Sequence, residues 1–414
     1  MKLKILNDRK GSFTVFVVMV FTAVLIGIGA VLSASGQAAL SSAADSFGRL
    51  WGMSILAEYD LNLKDRYGLF AFYGNEDSIE KKIDGYASYT FDAKKYVVYS
   101  GSKCELSGFN LLSTDVFKKQ VEEAAIFNVK PMPLSRNEGA EATNSSTYGN
   151  RTVTSPWIIE SLPSEGEKTG VSISEIVEKV KSGENLENLM GNSLINTYAF
   201  IYFKDNLNER DLGETYFQNE IEYILSGKRS DSEALKAVKS KITILRNGLN
   251  LIYLYSSEEK REAAMMLAAA VTPGAEAVAT QAAVLETWAY AEACNDVKLL
   301  LAGKEVPLLK TDSSWALDLD NAVSSENLQM LLKEGYVTPR DEEGCSYDEY
   351  LRILMNFIPE KTRLLRMMDL IQINMKFLYC DYFLISDYYT GLKFSMKVNG
   401  IDYEFEEKYE KSEE

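Results

Sequence analysis

Apolar and polar positions along the chain follow three different patterns, and each predicts a different kind of element. Phe13 to Leu32 is an unbroken apolar run of twenty residues without a charge. As a helix it spans about 30 Å, the thickness of a bilayer's hydrocarbon core. From Ser33 to Tyr59 the composition shifts to Ala, Ser and Gln, with Ala43, Phe47, Leu50, Trp51 and Ile55 at helical spacing and no proline. That spacing predicts a helix that leaves the membrane and docks an apolar stripe on a folded body.

The second pattern is helical and runs from about residue 171 to 380. Ser172-x-x-Glu175, Ser230-x-x-Glu233, Ser256-x-x-Glu259 and Ser346-x-x-Glu349 match capping boxes, and Gly227 and Gly303 stand where helices should stop. Leu364, Met368, Ile371, Met375 and Leu378 recur at spacings of four and three, a core-facing stripe. Its methionines read as packing and not as a cofactor box.

The third pattern is alternation at the C-terminal end. Phe394, Met396 and Val398 lead to Asn399-Gly400, and Ile401, Tyr403 and Phe405 follow. Asn-Gly between alternating runs predicts a hairpin with a type I′ turn, because both central residues need positive φ. The expected pairs are Val398 with Ile401, Met396 with Tyr403 and Phe394 with Phe405 on one face. Lys397 with Asp402 and Lys393 with Glu406 fall on the other. A lone hairpin is marginal, so it is expected to join short strands near Lys95–Tyr99 and Leu106–Leu111.

Together these patterns predict an α+β, mostly helical fold. Residues 1–12 form a cytoplasmic basic leader, 13–32 a transmembrane helix, and 33–130 an extracytoplasmic helix plus a small α/β segment. Residues 131–170, with Pro131, Pro133, Pro156 and Pro163, form a loop or linker. The helical region is 171–380, and 381–414 is a C-terminal β-hairpin packing back on the N-terminal part.

Charge gives the anchor a direction. Lys2, Lys4, Arg9 and Lys10 against Asp8 make +3 before the apolar run, and the next ionisable residue after it is Asp45. The positive-inside bias places the N-terminus in the cytoplasm. Of the formal −16, the remaining −19 then lies outside the membrane. A cleavable signal peptide ending near Ser33-Ala34-Ser35 is the alternative, but the apolar run exceeds the usual h-region and the helical pattern continues past it. Gly29 and Ser33 form a small-xxx-small pair suited to close helix packing in lipid.

Candidate chemistry is sparse. There is no histidine, which removes Ser-His-Asp and Cys-His nucleophiles and His-ligated metals. The acidic balance excludes a nucleic-acid partner. Cys104, Cys294, Cys345 and Cys380 lie too far apart for a redox or zinc motif, and they are expected to be mostly buried thiols. Ser257-x-x-Lys260 has Ser-Lys spacing but overlaps a capping box. Ser226-Gly227-Lys228 lacks the rest of a phosphate loop. Asp318-Leu319-Asp320-Asn321 and Asp341-Glu342-Glu343 lack the glycine and terminal glutamate of a calcium hand. Glu220, Glu222, Arg246, Glu292, Asp296, Arg366 and Asp369 sit in apolar helical patterns and are predicted to be structural ion pairs. No catalytic, cofactor-binding or metal residue is predicted.

Lys10-Gly11, then Ser12-Phe13-Thr14-Val15-Phe16 and a long apolar helix, resemble the N-terminus of type IV pilin-like proteins, in particular the TadE and TadG components of Tad (Flp) pilus systems. The resemblance implies cleavage after Gly11 to leave Ser12 first. The glutamate that the pattern carries five residues into the mature chain falls on Phe16 here. Further stretches, among them Leu56–Phe70, Asn219–Asp231, Trp288–Lys310 and Arg366–Met375, resemble an uncharacterised family of single-pass proteins encoded with Tad-type pilus genes in Gram-positive anaerobes. The expected function is a non-enzymatic, membrane-anchored component of a Tad-type pilus or related surface assembly. Its partners would be the lipid bilayer and other pilus or envelope assembly proteins, with no cofactor. The rivals are a free-standing membrane-anchored binding protein or adhesin, and an extracytoplasmic enzyme working with carboxylates.

Overall fold

A computed structural model describes residues 9–92, 97–128, 158, 161–165, 170–207, 212–324 and 335–409. The fold is α+β and mostly helical, with one long apolar helix at the N-terminal end and a small antiparallel sheet completed by C-terminal strands. The chain divides into two units. One comprises the residues up to Tyr59, Ala71–Asn110 and the segment from Tyr389; the other is built from Asp60–Phe70 and Leu111–Tyr388. The helical region is thus an insertion between the two parts of the first unit, and Asp60–Phe70 is an excursion into the second that the sequence patterns do not announce.

The first unit contains α1 (Arg9–Leu56), α3 (Glu76–Phe91), the two-residue strand Phe72–Tyr73 and a three-stranded sheet of β1 (Tyr99–Glu105), β2 (Gly391–Val398) and β3 (Ile401–Lys408). The sheet order is β1-β2-β3, antiparallel throughout. The hairpin pairs in the expected register, from Val398 with Ile401 to Phe394 with Phe405. Asn399 and Gly400 have φ of 49° and 82°, as a type I′ turn demands. The partner strand differs from expectation. It is a single strand at Tyr99–Glu105, with Cys104 opposite Phe394, and Ser107–Phe109 is a 3₁₀ turn where a second strand was expected. The polar sequence Tyr-Ser-Gly-Ser-Lys-Cys-Glu gives no period-2 signal because α3 covers its edge with polar side chains.

A core of Ala44, Trp51, Ile55, Ile79, Ile83, Phe91, Leu392, Phe394, Met396, Val398 and Phe405 fills this unit. Trp51 stacks with Phe47 and meets Phe91 edge-on, with ring centroids 6.2 and 5.9 Å apart. Helix α3 starts at a capping box formed by Asn75 and Ser78, a variant without the usual glutamate.

The second unit holds α2 (Leu61–Tyr67), α4 (Thr114–Asn128), α5 (Ile173–Lys181), α6 (Leu186–Met190), α7 (Leu194–Tyr202) and α8 (Glu220–Ser226). It continues with α9 (Asp231–Ser256), α10 (Glu258–Val271), α11 (Ala277–Leu301), α12 (Leu319–Val323), α13 (Tyr347–Asn356) and α14 (Glu360–Leu378). Of the four expected capping boxes, Ser346 with Glu349 is complete. Ser172 and Ser230 stand at N-caps without a side-chain cap bond. The third box is displaced by one residue: α9 runs through Ser256, and Ser257 caps α10 by accepting from the Lys260 amide. Gly227 closes α8 at φ 67°.

The α14 stripe is real but understates the helix. Leu364, Met368, Ile371 and Met375 are buried, and so are Met367, Leu370 and Ile373 on its other flank, while Leu378 is half-buried. This helix is packed around most of its circumference, so a one-sided amphipathic reading captures only part of its contact surface. Nearly all of the expected loop at 131–170, including Pro131, Pro133 and Pro156, lies outside the described residues, as do Lys95 and the leader before Arg9.

Candidate functional site

Helix α1 is 48 residues long, about 72 Å at 1.5 Å per residue. Its N-terminal part is long and apolar enough to cross a membrane: the most apolar window has mean hydropathy 2.9 and is buried nowhere by the rest of the chain. Every side chain from Phe13 to Ala39 is exposed, Phe16 at 64%. Gly11 and Ser12 lie in the first turns of the helix backbone. A methyl group added at Gly29 would meet no other atom within 4 Å, and Ser33, one turn on, is equally bare. Sequence patterns place these residues on one helix, and among the described residues nothing covers Phe16, Gly29 or Ser33.

From Leu40 onward the same helix becomes a docked one. Ala44, Gly48, Trp51, Gly52 and Ile55 form its buried face, whereas Leu50, which the spacing had included, is 56% exposed. The stripe misses Ala44, one place from the expected Ala43, and the two glycines, which carry no hydropathy signal. A Cβ at Gly48 would collide with the tip of the Phe405 ring, and one at Gly52 would lie 2.6 Å from Glu407 Cγ. Gly48 and Gly52, four apart, open a groove into which β3 sinks. Tyr409 closes the end of the contact by donating to the Leu56 carbonyl.

Acidic side chains of α3 run along the free edge of β1. Glu76 Oε1 accepts from the Leu106 amide at 3.2 Å and Glu80 Oε1 from the Cys104 amide at 2.8 Å. Asp84 Oδ1 accepts from Tyr99 Oη at 2.6 Å and Ser102 Oγ at 2.7 Å. A surface cleft of about 550 Å³ in the same unit is lined by Asn75, Glu76, Asp77, Leu106, Ser107, Asn110 and Tyr389.

The charged residues singled out in the second unit are all buried, but only some are ion pairs. Arg246 Nε meets Asp296 Oδ2 at 3.0 Å, and Lys310 Nζ lies 2.7 Å from both Glu292 and Asp296. Arg246 also donates to the Pro307 and Leu308 carbonyls at 2.8 Å and to Asn250 Oδ1 at 2.8 Å. Burial pushes the Asp296 carboxyl up, yet Arg246 and Lys310 outweigh it and hold the group below the usual carboxylate range. Glu292 is raised, first by burial and then by the charge of Asp296. Lys310 is a member that the sequence reading missed, since it stands in a loop with no helical pattern to draw attention to it.

Glu220, Glu222 and Asp369 depart from the predicted ion pairing. Glu220 Oε2 accepts from the Lys204 amide at 2.9 Å, and its Oε1 from Asn374 Nδ2 at 2.6 Å. Glu222 Oε1 accepts from the Asn206 amide at 3.0 Å and from Tyr347 Oη at 2.8 Å. Asp369 accepts from the Ser164 amide at 2.9 Å and from Tyr223 Oη at 2.8 Å. Among the described residues none of the three is within salt-bridge distance of a cation. Burial pushes Glu220 up to about 7, and burial with the charge of Asp205 pushes Glu222 up to about 8. Asp369 is raised by burial too. Arg366 donates to the Ile224 carbonyl at 2.7 Å.

The remaining motifs occupy structural places. Lys260 lies over the Trp288 ring, 5.1 Å from its centroid, and Ser257 is a helix cap, so the two do not form a nucleophile pair. Asp341 Oδ1 accepts from the Glu343 amide, Glu342 pairs with Lys304 at 2.8 Å, and Asp318 precedes α12. All four cysteines are free thiols. Cys345 alone is buried; Cys104 and Cys294 are half-buried and Cys380 is exposed, so burial is less general than expected.

The chain matches a family of unknown function (DUF5702) over residues 148–400, more than half its length. That stretch takes in most of the helical unit and ends at the hairpin turn, leaving α1 outside it. Neither a curated protein nor a solved structure matches the chain.

Proposed function

The chain belongs to the family of unknown function DUF5702, and we propose that it is a membrane-anchored, non-enzymatic subunit of a surface assembly of the Tad (Flp) pilus type. In this reading the Phe13–Leu32 segment crosses the membrane, the basic leader stays in the cytoplasm, and both folded units lie outside. The observation that carries the reading is the change of character along one unbroken helix, bare from Phe13 to Ala39 and interlocked with the sheet from Leu40 to Leu56. A rigid helix of this kind transmits the position of the anchor to the first unit without a hinge. The bare face at Gly29 and Ser33 is available to other apolar helices. The non-enzymatic part of the reading is supported by the raised carboxyls, which lie inside packed helices and hold backbone amides.

The topology is tested by treating intact cells with a membrane-impermeant maleimide. Cys380 is exposed and should be labelled without permeabilisation; labelling only after lysis would reverse the orientation. A mature N-terminus at Ser12 by mass spectrometry supports pilin-type processing, whereas one at Gly36 would sink the anchor. Deletion of the gene should remove surface filaments in micrographs if the assembly role holds. Gly29→Leu should weaken co-purification with pilin-like partners and leave folding unchanged, because the new side chain meets nothing in its own chain.

A further inference from the structure

The two outer edges of the three-stranded sheet are treated differently. The edge of β1 is closed, because Glu76 and Glu80 of α3 take the Leu106 and Cys104 amides that point away from β2. Such side-chain cover is one of the ways an edge is kept from pairing. Among the described residues the edge of β3 has no such cover. Its two-residue turn makes Val398 and Ile401 a hydrogen-bonded pair, and antiparallel alternation then turns the main chain of Asp402, Glu404 and Glu406 outward. Among the described residues no hydrogen bond reaches those three amides. Their side chains share one face of the strand and are exposed. Asp402 has Lys397 across from it at 3.5 Å, and Glu406 pairs in register with Lys393, but Glu404 faces Ser395. On the other face Ile401 is 51% exposed and Tyr403 half-buried.

We propose that the outer edge of β3 is the docking edge for an extended partner segment in which lysine or arginine alternates with apolar residues. The segment adds as a further strand, antiparallel or parallel. Its outward amides and carbonyls pair with those of Asp402, Glu404 and Glu406, and its basic residues come beside the three acidic ones, with Cβ atoms about 5 Å apart in the antiparallel case. Its apolar side chains fall on the Ile401 and Tyr403 face. A second copy of β3 does not fit this edge: antiparallel self-pairing centred on Glu404 would set Glu404 against Glu404 and Asp402 against Glu406, and like charges directly opposite destabilise a sheet. The acidic row therefore blocks self-association and selects a cationic strand with the same residues. This inference rests on the sheet alone and stands whether or not the pilus reading does.

The test uses the full chain in detergent micelles and a fluorescent peptide of sequence Lys-Val-Lys-Ile-Lys-Val-Lys, with binding read by anisotropy. Glu404→Gln and Glu404→Pro remove the same charge, but only the proline removes the outward N–H, and it leaves the β2–β3 bonds in place. Glu404→Pro should bind about fivefold to tenfold more weakly than Glu404→Gln, the worth of a main-chain hydrogen bond. The triple variant Asp402→Lys, Glu404→Lys, Glu406→Lys should prefer a Glu-alternating peptide. Should Glu404→Pro fail to fold by circular dichroism, a peptide N-methylated at alternate amides makes the same cut on the ligand side and should lose binding. Equal weakening by Gln and Pro, unchanged binding of the methylated peptide, or a concentration-dependent dimer abolished by Glu404→Pro would each overturn the proposal.

Discussion

In each unit a pair of glutamates holds two backbone amides that are two residues apart. Glu76 and Glu80 take Leu106 and Cys104 at 3.2 and 2.8 Å, while Glu220 and Glu222 take Lys204 and Asn206 at 2.9 and 3.0 Å. The hydrogen bonds are equivalent and the surroundings are not. Glu76 is exposed and Glu80 half-buried, whereas Glu220 and Glu222 have no exposed surface. Burial takes the second pair out of bulk solvent, the charged form loses its solvation, and the carboxyls rise to about 7 and about 8. A third arrangement completes the comparison. Glu292 and Asp296 are buried as deeply, yet Arg246 and Lys310 are buried beside them. Of those two, Asp296 is held low by both cations, while Glu292 is raised by burial and by the charge of Asp296 in spite of Lys310; hydrogen bonding to an amide therefore does not fix the charge of a carboxyl in this protein, and burial and the balance of neighbouring charges do.

The comparison can be broken most severely at the cation. Arg246→Leu leaves Asp296 buried without its guanidinium partner and should destabilise the second unit by about 3–5 kcal/mol, read as loss of a cooperative transition in urea. A milder loss would mean that Lys310 alone suffices. Next in size, Glu220→Ala with Glu222→Ala removes the acceptors of the buried Asn374 amide and Tyr347 hydroxyl as well as of the Lys204 and Asn206 amides, at about 1–3 kcal/mol for each group left buried without a partner; chemical denaturation measures it.

The pH dependence follows from the raised carboxyls. Folded Glu220 and Glu222 hold protons that the unfolded chain releases near 4.5, so the stability they contribute is full below about pH 4.5 and is lost as pH rises through about 7 and about 8. The denaturation midpoint should therefore fall between pH 5 and 8.5. Glu222→Gln should flatten part of that slope and raise the midpoint at pH 8.5 relative to the unsubstituted chain, with little change at pH 5. A wild-type midpoint independent of pH over this range would remove the distinction between the two pairs. The smallest effect belongs to the more exposed pair: Glu76→Ala or Glu80→Ala lets water replace the carboxylate and should cost about 0.5–1 kcal/mol, with faster hydrogen exchange at the Leu106 amide for the first and at the Cys104 amide for the second as its signature.

What the sequence determined by itself was local. The hairpin register was readable pair by pair, because Asn399-Gly400 fixes the turn and the side-chain period does the rest. The apolar run and the stripe beyond it gave α1 as one helix, because periodicity is a property of neighbouring residues. Tertiary structure decided what depended on distant partners. Strand β1 is polar and pairs with residues almost three hundred positions away, so no local pattern marks it. Gly48 and Gly52 matter through the Phe405 and Glu407 side chains that fill the space they leave, and glycine has no hydropathy to reveal this. Arg246, Glu220 and Asp369 look alike in sequence, as charges in apolar helices. Which of them is paired, which is held by neutral donors and which edge of the sheet stays open was fixed only when the chain brought, or failed to bring, a cation, an amide or water to within 3 Å of each group.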